Sequence, residues 1–207
     1  MRFLKKYCSD YWIMIKFWIF ILTIAALFIG GVYFILSRSY PLAIVDYQII
    51  AAGDFYANYR ASITYYKNAL DVYNEKDSAT LESDEVKLEI QRAVLDGLVE
   101  DILIAQELKS QIGSAELDKI TDRKIEEIIS GRKIREAVEK LYGLSFEEFK
   151  KRVLVPQAKR EILEGRLFLQ NPPVGGLDER LKEIKSKARI LIFLPGFKWD
   201  GEKVIIK

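Results

Sequence analysis

The chain has no histidine and a single cysteine among its 207 residues. Without histidine it lacks the side chain that most often acts as a general base near neutral pH, and also the imidazole metal ligand. Hydrolase triads and zinc sites that depend on histidine are therefore excluded, and one cysteine excludes an internal disulfide framework. Any catalysis would have to depend on carboxylates.

Paired carboxylates occur at Glu126-Glu127 and Glu147-Glu148. Adjacent helical positions point about 100° apart, so neither pair converges on one reacting atom, and we interpret both as solvated or capping groups. The sequence also has no glycine-rich phosphate loop, nucleophile elbow or metal-ligand spacing. We therefore expect no catalytic residue, no metal and no cofactor. The basic patch Lys150-Lys151-Arg152 is too short to predict nucleic-acid binding.

Residues 17–36 form the one long apolar run, and they contain no charged side chain. A helix of this length would match the hydrocarbon core of a bilayer, about 30 Å thick, so the run predicts a transmembrane helix. Basic residues concentrate before the run, which places residues 1–16 in the cytoplasm and predicts a single-pass protein of the cell membrane. The lipid bilayer is then one expected partner. A buried core helix and a cleaved signal peptide are the alternative interpretations.

Residues 41–207 are expected to form an extracytoplasmic domain that is mainly α-helical and closed by short β-strands. Apolar spacing predicts strands at 42–50, 188–194 and 203–207, and helices at 54–74, 84–110, 114–129 and 177–187. Gly113 and Gly143 are expected to end helices. A capping box, Ser145 to Glu148, opens a further helix that Pro156 should kink.

The two longest predicted helices carry apolar stripes. In the helix over 54–74 we interpret Phe55, Tyr59 and Tyr66 as core residues, because a periodic stripe usually faces a core. Tyr56 and Tyr65 lie off that stripe. In the helix over 84–110 the predicted stripe consists of Val86, Ile90, Val94, Leu98, Ile102, Ala105 and Leu108.

Two motifs, in this order, resemble the N-terminal domain of SurA-like periplasmic chaperones and foldases. The first is VDYQIIAAGDF at residues 45–55, which departs from the family pattern at Asp46 and Tyr47. The second is GLSFEEF at residues 143–149, a capping box before a long helix. The resemblance covers about residues 43–170.

Foldases of this family commonly carry a parvulin-type prolyl isomerase domain after the helical domain. Only 37 residues follow Gln170, and the histidines of a parvulin site have no counterpart in this sequence. The resemblance thus implies a chaperone-type domain without isomerase activity, so we expect no enzyme. We expect the C-terminal strands to pair with the stretch 43–51, because an isolated hairpin is only marginally stable.

The predicted function is that of a membrane-anchored chaperone-like protein that binds unfolded or extended polypeptides. Such binding needs an apolar groove with a polar rim. Tyr56, Tyr65 and Tyr73 are the candidate peptide-binding residues, because tyrosine combines a large contact area with a polar tip. The alternative hypothesis is a bitopic structural or assembly subunit that docks one dedicated folded partner.

Overall fold

The structure is a computed structural model that describes residues 18, 20–25, 28, 31, 38–72, 81–130, 134–170 and 176–207. The chain divides into two compact units, Met1–Tyr40 and Pro41–Lys207. The first is described only in part, as helix at positions 18, 20–25, 28 and 31. The second contains all the elements discussed below.

The transmembrane prediction is wrong. Within the residues that the structure describes, none of the helices combines the length and the hydropathy required of a membrane span. The single-pass topology, with a cytoplasmic N-terminus and an extracytoplasmic domain, is overturned by the same finding. The expected cytoplasmic segment, residues 1–16, lies outside the described residues.

The second unit is mainly helical, as predicted, with a few short strands. Its described elements are β1 (Pro41–Val45), β2 (Gln48–Ala51), α1 (Ala52–Val72), α2 (Asp84–Ile112), α3 (Ser114–Ile129), α4 (Ile134–Tyr142), α5 (Phe146–Phe149), a π-helical segment (Lys150–Leu154), α6 (Val155–Gln170), α7 (Leu177–Lys187), β3 (Ile190–Ile192), β4 (Phe197–Trp199) and β5 (Val204–Ile206).

The predicted strand at 42–50 is in fact a hairpin. Asp46 adopts a positive φ of 54°, a left-handed conformation that reverses the chain between β1 and β2. The Asp46 carboxylate accepts a hydrogen bond from the Arg189 backbone N–H at 2.8 Å, and the Asp46 N–H donates to the Arg189 carbonyl at 2.8 Å. These two hydrogen bonds thus tie the turn to Arg189, the residue before β3.

The predicted pairing of the C-terminal strands with the stretch 43–51 is confirmed for the strand at 188–194 and wrong for the strand at 203–207. Strand β1 lies in the centre of a three-stranded antiparallel sheet, between β2 and β3. Strands β4 and β5 form a separate two-stranded antiparallel sheet. The Val204 N–H at the start of β5 donates to the Asp96 carboxylate of α2 at 2.9 Å, which ties the last strand to the longest helix.

Two clusters of buried side chains hold the helices together. One joins α1, α3, α4, α5 and α6 through Ala61, Ile125, Val138, Leu144, Phe149, Leu154 and Ala158. The other joins α2, α3, α6 and α7 through Ile104, Leu108, Leu117, Leu163 and Leu181. Helix α2 also packs against α1, so it contacts most of the unit and supplies a rigid wall beside α1.

The predicted capping box is confirmed for the Ser145 hydroxyl. Near Pro156 the structure shows a π-helical segment where a kink was predicted. The Ser145 hydroxyl accepts from the Glu148 N–H at 3.3 Å. Before Pro156 the backbone widens into the π-helical segment, in which the Val155 N–H donates to the carbonyl of Lys150, five residues earlier. Proline has no N–H and its ring crowds the carbonyl four residues before it, so a wider turn relieves both problems.

Candidate functional site

A groove of about 440 Å³ lies between α1 and α2. Ten residues line it: Asn58, Ser62, Tyr66, Glu89, Ile90, Ala93, Val94, Gly97, Leu98 and Asp101. Those from α1 are polar or aromatic, and those from α2 are mostly apolar. A largely apolar wall that faces a polar one is the usual composition of a ligand-binding cleft.

The α2 wall exists because this helix has two apolar stripes. One contains Leu95, Val99 and Leu103, which are buried and do not belong to the predicted stripe. Ile90, Val94 and Leu98 of the predicted stripe line the groove, although Ile90 is itself buried, as is Leu108 farther along the stripe. One core face does not cover two apolar stripes completely, so Val94 and Leu98 are left half-buried along the groove.

Gly97 provides the room in the groove. It lies in the interior of α2, where glycine is less favourable than alanine by about 1 kcal/mol. A Cβ built at this position would meet no atom within 4 Å. No close backbone approach therefore requires a glycine here, and its effect is to leave the wall of the groove concave.

The α1 wall ends in a set of contacting aromatic rings. Tyr66, which is 47% exposed, lines the groove. Its ring contacts Tyr65 edge-on at a centroid distance of 5.8 Å. Tyr65 stacks on Tyr142 of α4 at 4.9 Å, and Tyr142 contacts the buried ring of Phe149 at 4.9 Å. Through these contacts Tyr66 is supported by the core.

Besides these ring contacts, a side-chain hydrogen bond also fixes α1 against α4. The Asn68 side-chain amide donates to the backbone carbonyls of Lys140 at 2.8 Å and Leu141 at 3.0 Å. Both carbonyls belong to the last turn of α4, where no intrahelical donor is available. Asn68 therefore caps α4 and holds the part of α1 that carries Tyr66.

Of the two acids in the groove, Asp101 has the larger pKa shift. Burial raises the pKa of its carboxyl from 3.8 to about 6, while Arg160 and Lys159 of α6 act in the opposite direction. No described residue donates a hydrogen bond to this carboxylate. Arg160 instead bonds to Glu100, which also accepts from Lys185 at 2.6 Å. The neighbouring cations thus offset only part of the cost of burying the ionised carboxylate.

Glu89, the other acid of the groove, is already paired. Its carboxylate accepts three hydrogen bonds from the Arg92 guanidinium at 2.6 to 2.9 Å. The hydrogen bond from Arg92 lowers the pKa of Glu89, so this group stays ionised and neutralised by its partner.

A second groove, of about 420 Å³, lies along the adjacent stripe of α1. Its lining residues are Tyr59, Arg60, Ile63, Thr64, Lys67, Leu81, Glu82 and Lys87. Three of these are basic, and the acidic Glu82 lies 3.9 Å from Lys67. The two grooves therefore carry opposite charge.

Tyr56 and Tyr65, the predicted peptide-binding tyrosines that the structure describes, do not come together in one site. Tyr56 and Tyr65 are nine residues apart on α1, which separates them by about 14 Å along the axis and places them on opposite sides of the helix. The Tyr56 ring contacts Phe55 edge-on at 5.1 Å. Neither residue lines the groove between α1 and α2. Tyr73 lies outside the described residues.

The interpretation of the α1 aromatics as core residues is correct for Phe55, which is fully buried, and wrong for Tyr66. Tyr59 is half-buried and lines the second groove. Spacing analysis of single helices also missed Gly97 and Asp101. One available signal was the run from Ile90 to Asp101, where a second apolar stripe contains a glycine and ends in an acid.

In the described part of the chain, no group of three or more cysteine, aspartate or glutamate residues has the geometry to hold a metal ion. The groove offers apolar contacts, hydroxyl and amide hydrogen bonds and one incompletely paired carboxylate. This arrangement suits the binding of a flexible chain with mixed side chains.

Residues 1–128 match the family model of the SurA-like N-terminal domain. The match covers more than half of the 207 residues, so the chain belongs to this family, and its domain is of the chaperone type. All residues that line the groove between α1 and α2 lie inside the matched range. Comparisons with curated proteins and with solved structures gave no match.

Proposed function

We propose that this domain binds unfolded or extended polypeptide in the groove between α1 and α2. The observation that carries the proposal is the concave apolar wall of Ile90, Val94 and Leu98 facing a polar wall within a chaperone-type domain. Apolar side chains of a client would leave water against this wall. Polar groups of α1 would satisfy part of the client backbone.

The dimensions of the groove support a segment rather than a folded surface. Glu89 and Asp101 are twelve residues apart on α2, a distance of about 18 Å along the helix. An extended peptide rises about 3.3 Å per residue, so roughly five or six residues would fit. Segments of this length recur in any unfolded chain, which suits a chaperone.

Docking of one dedicated folded partner is the second candidate, and the three-stranded sheet is the observation that favours it. Ile44 of β1 pairs directly with Ile49 of β2 and Leu191 of β3, so the three side chains share one face. Ile49 is 60% exposed and Leu191 is 44% exposed. A flat apolar row of this kind is typical of a protein interface.

Filling the groove tests the proposal. We would titrate the full chain into a labelled peptide of alternating leucine and serine residues and measure fluorescence anisotropy. Gly97→Leu places a large side chain in the groove at a position with space for it and without a helix-propensity penalty. It should weaken binding by about tenfold or more, which corresponds to a loss of 1.4 kcal/mol.

Two control variants accompany this titration. Gly165→Leu makes the same change on an exposed part of α6, where a Cβ also meets no atom within 4 Å, and it should leave affinity within about twofold. Ile49→Ser with Leu191→Ser removes the apolar row of the sheet and should also have little effect. Equal affinity of Gly97→Leu and the unmodified chain would contradict the proposal, and a loss confined to the sheet variant would favour the second candidate.

A further inference from the structure

The groove between α1 and α2 is acidic as well as apolar. Two of its ten lining residues, Glu89 and Asp101, are acidic, and none is basic. The second groove, lined by Arg60 and Lys67 of α1 and Lys87 of α2, has the opposite balance of charge. Two clefts of similar volume on one helix therefore differ mainly in the charge that a bound segment would meet.

Asp101 is the acid of the groove that remains available to a ligand. Glu89 is neutralised by the three hydrogen bonds from Arg92. Asp101 is half-buried, and no described residue donates a hydrogen bond to its carboxylate. The nearby Arg160 is engaged by Glu100. A buried carboxylate without donors is unfavourable, and a ligand that supplies a donor removes part of that penalty.

We infer that the groove selects polypeptide segments in which a lysine or arginine stands among apolar residues, with the basic group paired to Asp101. This inference rests on the proposed function. Leu98, one turn before Asp101, would contact the aliphatic stem of the basic residue, and Gly97 leaves space beside it. The apolar neighbours of the basic residue would contact Ile90 and Val94.

The selectivity should depend on pH through the ionisation of Asp101. Burial raises the pKa of this carboxyl to about 6, so it is ionised at pH 7.5 and largely neutral at pH 5. The charged groups around it are Arg160 and Lys159 of α6, which favour ionisation, and Glu100 of α2, which opposes it. A neutral Asp101 attracts a cation much less, so the preference for a basic residue should decline on acidification.

Three labelled peptides that differ at one position test this inference. All contain alternating leucine and serine, and the central position is arginine, glutamine or glutamate. With the full chain at pH 7.5, the arginine peptide should bind about tenfold more tightly than the glutamine peptide, because a charged hydrogen-bonded pair forms in a partly desolvated site. In Asp101→Asn this ratio should fall to about one, and in the exposed-site control Glu164→Gln it should be unchanged.

The outcomes separate this inference from the proposed function. If the glutamine peptide binds and is weakened by Gly97→Leu, but arginine gives no advantage, the groove binds peptide and the charge selectivity is refuted. If arginine keeps its advantage in Asp101→Asn, the assigned carboxylate is wrong. Tighter binding of the glutamate peptide would place the segment in the basic groove instead. If none of the peptides binds, both proposals fail.

Discussion

Replacing Asp101 by asparagine should stabilise the protein at neutral pH and have no effect at low pH. The substitution keeps the shape of the side chain and removes its charge. A carboxyl whose pKa is raised from 3.8 to about 6 holds its proton more tightly in the folded state than in the unfolded state. Its neutral form therefore favours folding below pH 4, and that contribution is lost as the pH rises through about 6.

The size of the effect follows from the two pKa values. A difference of about two units corresponds to about 3 kcal/mol, since each unit is worth 1.36 kcal/mol. This is an upper limit, because Asp101 is only half-buried and water screens part of its charge. We expect Asp101→Asn to be more stable than the unmodified chain by about 1 to 3 kcal/mol at pH 7.5.

Urea unfolding of the full chain at pH 4 and pH 7.5, followed by far-ultraviolet circular dichroism, measures this difference. Glu164→Gln is the matched control, because Glu164 lies exposed on α6, and it should shift stability by less than about 0.5 kcal/mol at either pH. A lower stability of Asp101→Asn at pH 7.5 would show that the carboxylate makes favourable interactions when ionised. The same shift at both pH values would exclude its titration as the cause.

Two further predictions concern packing and capping. Leu163→Ala should destabilise the chain by about 2 to 5 kcal/mol in thermal or urea unfolding, because Leu163 is fully buried among side chains of α2, α3 and α7. Leu169 lies on the same helix and is 81% exposed, so Leu169→Ala should change stability by less than about 0.5 kcal/mol. Equal effects of the two would contradict the packing of α6. Asn68→Ala should cost about 1 to 2 kcal/mol by leaving the Lys140 and Leu141 carbonyls without their donor, and Asn68→Asp should cost more because it presents a charged acceptor to them. The capping role fails if the aspartate variant is as stable as the unmodified chain.

Local signals in the sequence predicted much of the fold. Gly113, with a φ of 78°, ends α2 as expected, because glycine adopts this conformation without a steric penalty. The Ser145 cap formed where its spacing to Glu148 predicted. These features depend on residues only a few positions apart, so sequence order alone determines them.

Features that depend on distant residues could not be predicted in the same way. The second stripe of α2 has the same periodicity as the first, and only tertiary packing decides that Leu95 and Val99 are buried while Val94 and Leu98 line a groove. The raised pKa of Asp101 follows chiefly from burial in the folded chain, opposed by Arg160 and Lys159 of α6, and neither can be deduced from neighbouring sequence positions. The transmembrane prediction for residues 17–36 rested on the length and composition of the run alone, and it was wrong.

Site-specific photo-cross-linking tests the central claim, that the groove between α1 and α2 receives polypeptide. A photoreactive residue would replace Ala93 in the groove, Ile49 on the sheet face or Glu164 on exposed α6, and an unfolded client would be diluted from denaturant into each full-chain variant. The account predicts cross-links to client at position 93 that Gly97→Leu abolishes, and few at positions 49 and 164. Similar yields at all three positions, or a yield at 49 above that at 93, would contradict it.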